Sequence, residues 1–89
     1  MKIFKNKEQL KREIGNKKSI SFVPTMGGLH KGHISLIKTA KKYTNETLVS
    51  IYVNPKQFNK EEDYKKYPRN LVKDLKILRK LKVNYLYLP

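Results

Sequence analysis

Apolar residues fall along the chain in short runs of two different periods, and the change of period marks out the elements. Ser19 to Val23 (SISFV), Thr47 to Val53 (TLVSIYV) and Tyr85 to Leu88 (YLYL) are β-branched, aromatic and nearly continuous. They predict three strands, the middle one covered on both faces as in a parallel sheet. Pro24 has no N–H to give a ladder and predicts the end of the first strand. Ile34, Ile37, Ala40 and Tyr43 instead recur at helical spacing, with Lys38, Lys41 and Lys42 elsewhere on the cylinder. That pattern predicts an amphipathic helix from Ile34 to Tyr43, entered at His33. Leu71, Leu75 and Leu78 form the stripe of another helix, Leu71 to Leu81, with Asn70 as its cap. A shorter helix is predicted over Lys7 to Ile14, with Asn6 as cap, Gly15 as stop, and Leu10 and Ile14 one turn apart for packing. Asn54 to Arg69, polar and holding Pro55 and Pro68, is predicted as a loop.

Strand, helix, strand, helix, strand is the βαβαβ unit of an α/β, Rossmann-like parallel sheet, with right-handed crossovers. No repeat or low-complexity linker interrupts it, so residues 1–89 are expected to form one unit. Such a unit is usually half of a doubly wound fold, and the chain therefore reads as its first half. The Ser19 to Val23 strand is then expected at the topological switch point with one edge unpaired, and with one side of a ligand crevice supplied from elsewhere.

Composition narrows the chemistry. The 89 residues include no Cys, which excludes a disulfide framework, a thiolate metal site and a cysteine nucleophile. Lys and Arg number 21 against 7 Asp and Glu, a formal charge of +14. All but Arg12, Arg69 and Arg79 of those cations are lysines, spread from Lys2 to Lys82. A lysine-dominated, dispersed charge reads as solvated surface rather than a specific nucleic-acid face, which leans on the planar guanidinium. A small basic nucleic-acid-binding module is the rival reading. The opening MKIFKNKEQLKREIG has no apolar leader core, and no run reaches the roughly 18 apolar residues of a spanning helix. A cytoplasmic protein without membrane contact is expected.

Pro24 to His33, PTMGGLHKGH, gathers three of the four glycines and both histidines between a predicted strand and a predicted helix. Gly27 and Gly28 permit positive φ and let backbone N–H groups approach a ligand, and the helix N-terminus that follows favours an anion. The sequence is not a P-loop: Gly27 and Gly32 have the GxxxxG spacing, but His33 and Ile34 follow where Lys and Ser or Thr are needed. Nor is it GxGxxG, whose glycine offsets and downstream acidic residue are missing. His30 and His33, three apart, share one side of a helical turn. The residues alone leave three readings of that pair open. It serves as a metal pair, as local caps and packing, or as hydrogen-bond donors to charge developing on a phosphate under attack.

His30-Lys31-Gly32-His33 is the HxGH signature of the nucleotidyltransferase superfamily. FVPTMGGLHKGH, followed in order by SIYVNPKQF and EDYKKYPR, resembles the pantothenate synthetase (pantoate–β-alanine ligase) family from Ser19 to Pro89. The lone HxGH would leave other nucleotidyltransferases open as alternatives. The resemblance implies a nucleotidyltransferase-type (HUP) sheet, of which residues 1–89 are the N-terminal part of the nucleotide- and pantoate-binding domain, the C-terminal domain being absent. It implies an AMP-forming ligation: pantoate attacks the α-phosphate of Mg-ATP with loss of pyrophosphate, and β-alanine then attacks the pantoyl adenylate. ATP and Mg2+ are the implied cofactors, pantoate and β-alanine the partners, and a homodimer the implied assembly. By the same resemblance His33 and His30 are catalytic, and Met26, Gly27, Gly28, Leu29, His30, Lys31, Gly32 and His33 bind ATP. Pro24, Met26, Asn54 and Gln57 bind pantoate, Gln57 also binds β-alanine, and Tyr67 stands on the substrate side. No protein side chain in this chain is expected to hold a metal. Family enzymes are much longer, and their Lys-Asp-x-x-Gln and Ser/Arg phosphate-covering blocks have no counterpart among these residues.

Overall fold

In the computed structural model, which describes all residues from Met1 to Pro89, the three expected strands form one parallel sheet and gain a fourth. The chain runs β1 (Lys2–Phe4), α1 (Lys7–Ile14), β2 (Ile20–Thr25), α2 (Lys31–Tyr43), β3 (Glu46–Ile51), a 3-10 turn (Pro55–Gln57), α3 (Glu61–Lys66), α4 (Leu71–Lys80) and β4 (Tyr85–Tyr87). Spatial order is β1-β4-β3-β2, every neighbouring pair parallel. β2 therefore stands at an edge, as expected of the switch-point strand.

The structure departs from the expected elements in three places. β1 is a strand that no periodicity announced: three residues carry no pattern, and only their register with Tyr85, Leu86 and Tyr87 makes them one. β2 runs through Pro24 to Thr25 instead of ending at Val23. An edge strand has one side without a ladder, so a missing N–H there costs nothing. The expected loop from Asn54 to Arg69 holds a 3-10 turn and α3. Asn54 Oδ1 accepts the Lys56 N–H at 3.0 Å with Pro55 opening the turn. α3 has Glu61, Glu62 and Asp63 in its first turn and Lys65 and Lys66 in its last, a charge order that suits the helix dipole in a segment too short to show a stripe.

Val23, Val49 and Leu86 are in register across β2, β3 and β4 and so point to one face. Ile37 of α2 and Leu78 of α4 pack onto that row, with Leu29 and Val83 completing the core. Burying each such side chain stabilises by about 1.5–3 kcal/mol. β3, expected to be covered on both faces, is buried from Thr47 to Ser50. The helical stripes fray at their ends: Tyr43 is 81% exposed and Leu71 43%. Under the last turn of α2 the sheet presents Ser21, bonded to the Ala40 carbonyl and the Thr44 hydroxyl, and so offers Tyr43 no apolar seat. α1 buries no residue fully, Leu10 and Ile14 being half-buried. No helix is long and apolar enough to cross a membrane.

Sheet and loop are joined by two polar residues. Thr25 Oγ1 donates to the Ser50 carbonyl at 2.9 Å and accepts the Gly27 N–H at 3.1 Å. Asp74, on α4 and 2% exposed, accepts the Gly28 N–H on Oδ2 at 3.0 Å and the Leu29 N–H on Oδ1 at 2.9 Å. Three consecutive amides are thereby held. Gly27 (φ 80°) holds a left-handed backbone that strains any other residue, and a Cβ there would press on Asp74 Oδ2 at 3.1 Å and Ile51 Cγ2 at 3.2 Å.

Replacing Asp74 tests this join. Asp74→Ala leaves both amides without an acceptor and is expected to cost about 3 kcal/mol in urea unfolding. Asp74→Asn keeps one acceptor oxygen but turns an N–H2 toward an N–H, and is expected to fall between Ala and the parent, near roughly 1–2 kcal/mol. Equal stability of all three chains would show that the loop is held by other contacts.

Candidate active site

The carboxyl ends of β2 and β3 open into a cleft of about 400 Å³ lined by Pro24, Thr25, Met26, His33, Ser50, Tyr52, Asn54, Gln57 and Tyr67. Parallel sheets place ligand crevices at this end of their strands. Pro24, Met26, Asn54, Gln57 and Tyr67, far apart in the chain, meet here beside His33. Thr25, Ser50 and Tyr52 were not singled out by the sequence. The period of two offered a signal for the last two, since Ser50 is in register with Pro24 and Tyr52 lies two residues on. A larger hollow, about 630 Å³ and including Lys2, Glu13, Glu46 and Arg79, lies apart from these residues. Its acids are engaged in the Lys2–Glu13 and Lys17–Glu46 ion pairs.

The HxGH residues form the first turn of α2, which begins three residues earlier than its apolar stripe. His30 is the N-cap, and its Nδ1 accepts the Gly32 N–H at 3.0 Å. His33 Nδ1 in turn accepts the His30 N–H at 3.2 Å, and the two rings lie 4.2 Å apart between centroids. An Nδ1 that accepts a backbone proton carries none itself, so each imidazole holds its own proton on Nε2 and keeps that N–H as its outward donor. The capping and donor readings are thus two ends of the same rings. Gly32 is required by this packing, since a Cβ there would come within 2.9 Å of His30 Cε1. Partial burial, and secondarily the neighbouring His30, hold the His33 pKa below the ordinary imidazole value, against an opposing pull from Asp74.

The glycine loop is not the open nest of amides that its sequence suggested. The N–H groups of Gly27, Gly28, Leu29, His30 and Gly32 go to Thr25, Asp74, Asp74, His33 and His30 respectively. Leu29, grouped by sequence with the ATP-side residues, puts its side chain in the hydrophobic core. The His30 side chain also caps the His33 N–H, so the donors left at this end of α2 are the Lys31 N–H and the two imidazole Nε2–H groups. Lys31 itself lies on the outer side of α2 with Ser35, Lys38, Thr39 and Lys42. No group of three or more His, Asp or Glu side chains is arranged to hold a metal.

The family profile described as Pantoate-beta-alanine ligase matches residues 2–89. Pantothenate synthetase of Thermosipho africanus is 50% identical over 93 aligned residues, covering all of this chain and 34% of that protein. The chain thus spans about a third of the length of the curated relatives it matches. The crystal structure of pantothenate synthetase from Thermus thermophilus superposes with a TM-score of 0.93 at 36% identity, over all of this chain and 32% of that one. Pantoate-beta-alanine ligase from Francisella tularensis, solved in complex with beta-gamma ATP and beta-alanine, does so with a TM-score of 0.91 at 47% identity, over all of this chain and 35% of that one. With a four-stranded parallel sheet of that shape and a family match from Lys2 to Pro89, the chain belongs to the pantoate-beta-alanine ligase family.

Proposed function

We propose that this chain supplies the pantoate pocket and one side of the ATP site for the AMP-forming condensation of pantoate with β-alanine. The observation that carries the reading is the convergence of Pro24, Met26, Asn54, Gln57 and Tyr67 on one cleft that His33 also lines. Its polar groups, an amide at Gln57, another at Asn54 and the Tyr67 phenol, suit a small hydroxy acid that both donates and accepts hydrogen bonds. In the first step the pantoate carboxylate attacks the α-phosphorus of ATP and pyrophosphate leaves. In the second the β-alanine amine attacks the pantoyl adenylate, and AMP departs as the amide forms. Gln57 is the group assigned to both acids.

His30 and His33 are assigned to the phosphates. Each presents an Nε2–H, so each donates to phosphate oxygens as negative charge grows on them, with the Lys31 N–H of the first turn beside them. Their Nδ1 atoms are tied to backbone N–H groups, which holds the rings in place before a ligand arrives. The residues present do not fit a protein-held Mg2+. That hard cation needs oxygen ligands, and both oxygens of Asp74 are taken by Gly28 and Leu29.

Calorimetry of this chain with pantoate, with ATP and with both tests the reading. Pantoate and ATP are each expected to bind, and Gln57→Ala to weaken pantoate by about tenfold or more while ATP changes by less than about twofold. An unchanged pantoate affinity in that variant removes Gln57 from the site.

The phosphate donors all come from one side of an open cleft, and stabilising an oxyanion takes donors from several directions in a water-excluded site. The chain alone, given Mg-ATP, pantoate and β-alanine, is therefore expected to yield no multiple-turnover pantothenate. Steady AMP and pantothenate production would show that these donors suffice.

The lowered His33 pKa sets the sign of a pH dependence. The unfolded chain takes up this proton first, so His33 contributes stability that is complete above its ordinary pKa of about 6.5 and lost as pH falls through the folded value. Urea midpoints measured from about pH 8 down to about pH 5 are expected to fall less steeply in His33→Gln, whose side-chain oxygen caps the His30 N–H at every pH. Parallel profiles for the two chains would exclude this linkage.

A further inference from the structure

One wall of the cleft is the sheet; the other is Asn54, Gln57 and Tyr67, which no strand holds. Asn54 and Gln57 belong to a tight turn that closes on itself through the Lys56 N–H to Asn54 Oδ1 and the Gln57 N–H to the Asn54 carbonyl. Tyr67 comes after α3, next to Pro68, and depends on another anchor. Its ring meets Phe58 edge-on at 5.5 Å between centroids, and Phe58 meets Tyr64 in the same way at 5.7 Å.

Arg69 closes this group. Its Nη1 donates to the Tyr67 carbonyl at 2.9 Å, its Nη2 donates to the Tyr64 carbonyl at 3.1 Å, and its guanidinium carbon lies 5.0 Å from the centroid of the Tyr64 ring. One planar cation thus supplies donors to the carboxyl end of α3, where carbonyls lack helical partners and positive charge is favoured. It also fixes the backbone of Tyr67, already confined by Pro68 to extended ψ.

We propose that Arg69 is a positioning residue for the pantoate cleft: by gripping the Tyr64 and Tyr67 carbonyls in one fork, it sets where the Tyr67 ring stands against Phe58 and beside Gln57. This inference rests on the reading of that cleft as the pantoate site. Arg69 does not line the cleft, so it acts through Tyr67. Lysine would keep the charge but lose the two coplanar donors that span two carbonyls. The grip is local. Arg69 is exposed and α3 buries no residue, so the core does not depend on it.

The test uses Arg69→Lys and Arg69→Met in the 89-residue chain, with Tyr64→Phe as the control that keeps both carbonyl and ring. Proton NMR reads the Phe58–Tyr67 ring contacts, and calorimetry reads pantoate and ATP separately. In both Arg69 variants the ring contacts are expected to weaken and the pantoate Kd to rise about tenfold, with ATP affinity and urea midpoint held close to the parent. The control is expected to match the parent throughout. Unchanged ring contacts overturn the proposal, and so do lost contacts with unchanged pantoate affinity. A parent chain that binds no pantoate overturns the reading of the cleft instead, and the ring contacts then decide by themselves whether Arg69 sets this wall.

Discussion

A single buried carboxylate ties the two halves of this structure together. Asp74 sits in the first turn of α4, yet its partners are the amides of Gly28 and Leu29, about half the chain away. Moving a carboxylate out of water costs several kcal/mol, and the cost is met here by two hydrogen bonds from backbone donors that would themselves be stranded without it. The consequences run in both directions. α4 is pinned to the loop that starts α2, and the loop is held with Gly27 at positive φ against Ile51. Beyond Leu29, whose side chain enters the core, the backbone delivers His30 to the N-cap position.

The histidine pair inherits that geometry. The rings cap backbone N–H groups of their own turn, which fixes their tautomer as well as their orientation, and what faces outward is a pair of Nε2–H donors on a preformed turn. The lowered His33 pKa favours the neutral form that this arrangement needs. Around it lies a surface with a formal charge of +14, in which only three ion pairs form. Such an excess raises the local concentration of phosphate-bearing anions without selecting among them. On the proposed reading, selection falls to the cleft.

That cleft has walls of unequal stiffness. Pro24, Thr25, Met26 and Ser50 belong to or border the sheet, whose strands are bonded along their length. Asn54, Gln57 and Tyr67 stand on a segment that buries nothing fully and is held by local devices: an Asx turn, three aromatic rings in edge contact, and one arginine. A rigid floor with a locally clamped wall lets one side of the cleft adjust without disturbing the core.

Residue pattern along the chain was enough to specify the class of fold and the strand-to-helix turn that borders the cleft at the carboxyl ends of β2 and β3. Strands and helices with full-length apolar patterns, from Ile20 to Val23, along α2, β3 and α4, and at β4, were legible because burial against a sheet imposes a period that residue types must obey. The HxGH turn and the Asn54–Gln57 block were legible as motifs, because a tight turn and a cap demand particular residues locally. Contacts between distant segments settled what remained. β1 exists only through its register with β4, and Pro24 remains in a strand because its missing N–H falls on the side of β2 away from β3. Nothing in the sequence set Asp74 apart, and Arg69 stood only as the end of a polar loop, until the fold brought amides and carbonyls to them. A hydrogen bond between distant residues leaves no periodic trace in a single chain, which is why the glycine loop read as open amides and is in fact a loop whose amides are already bound.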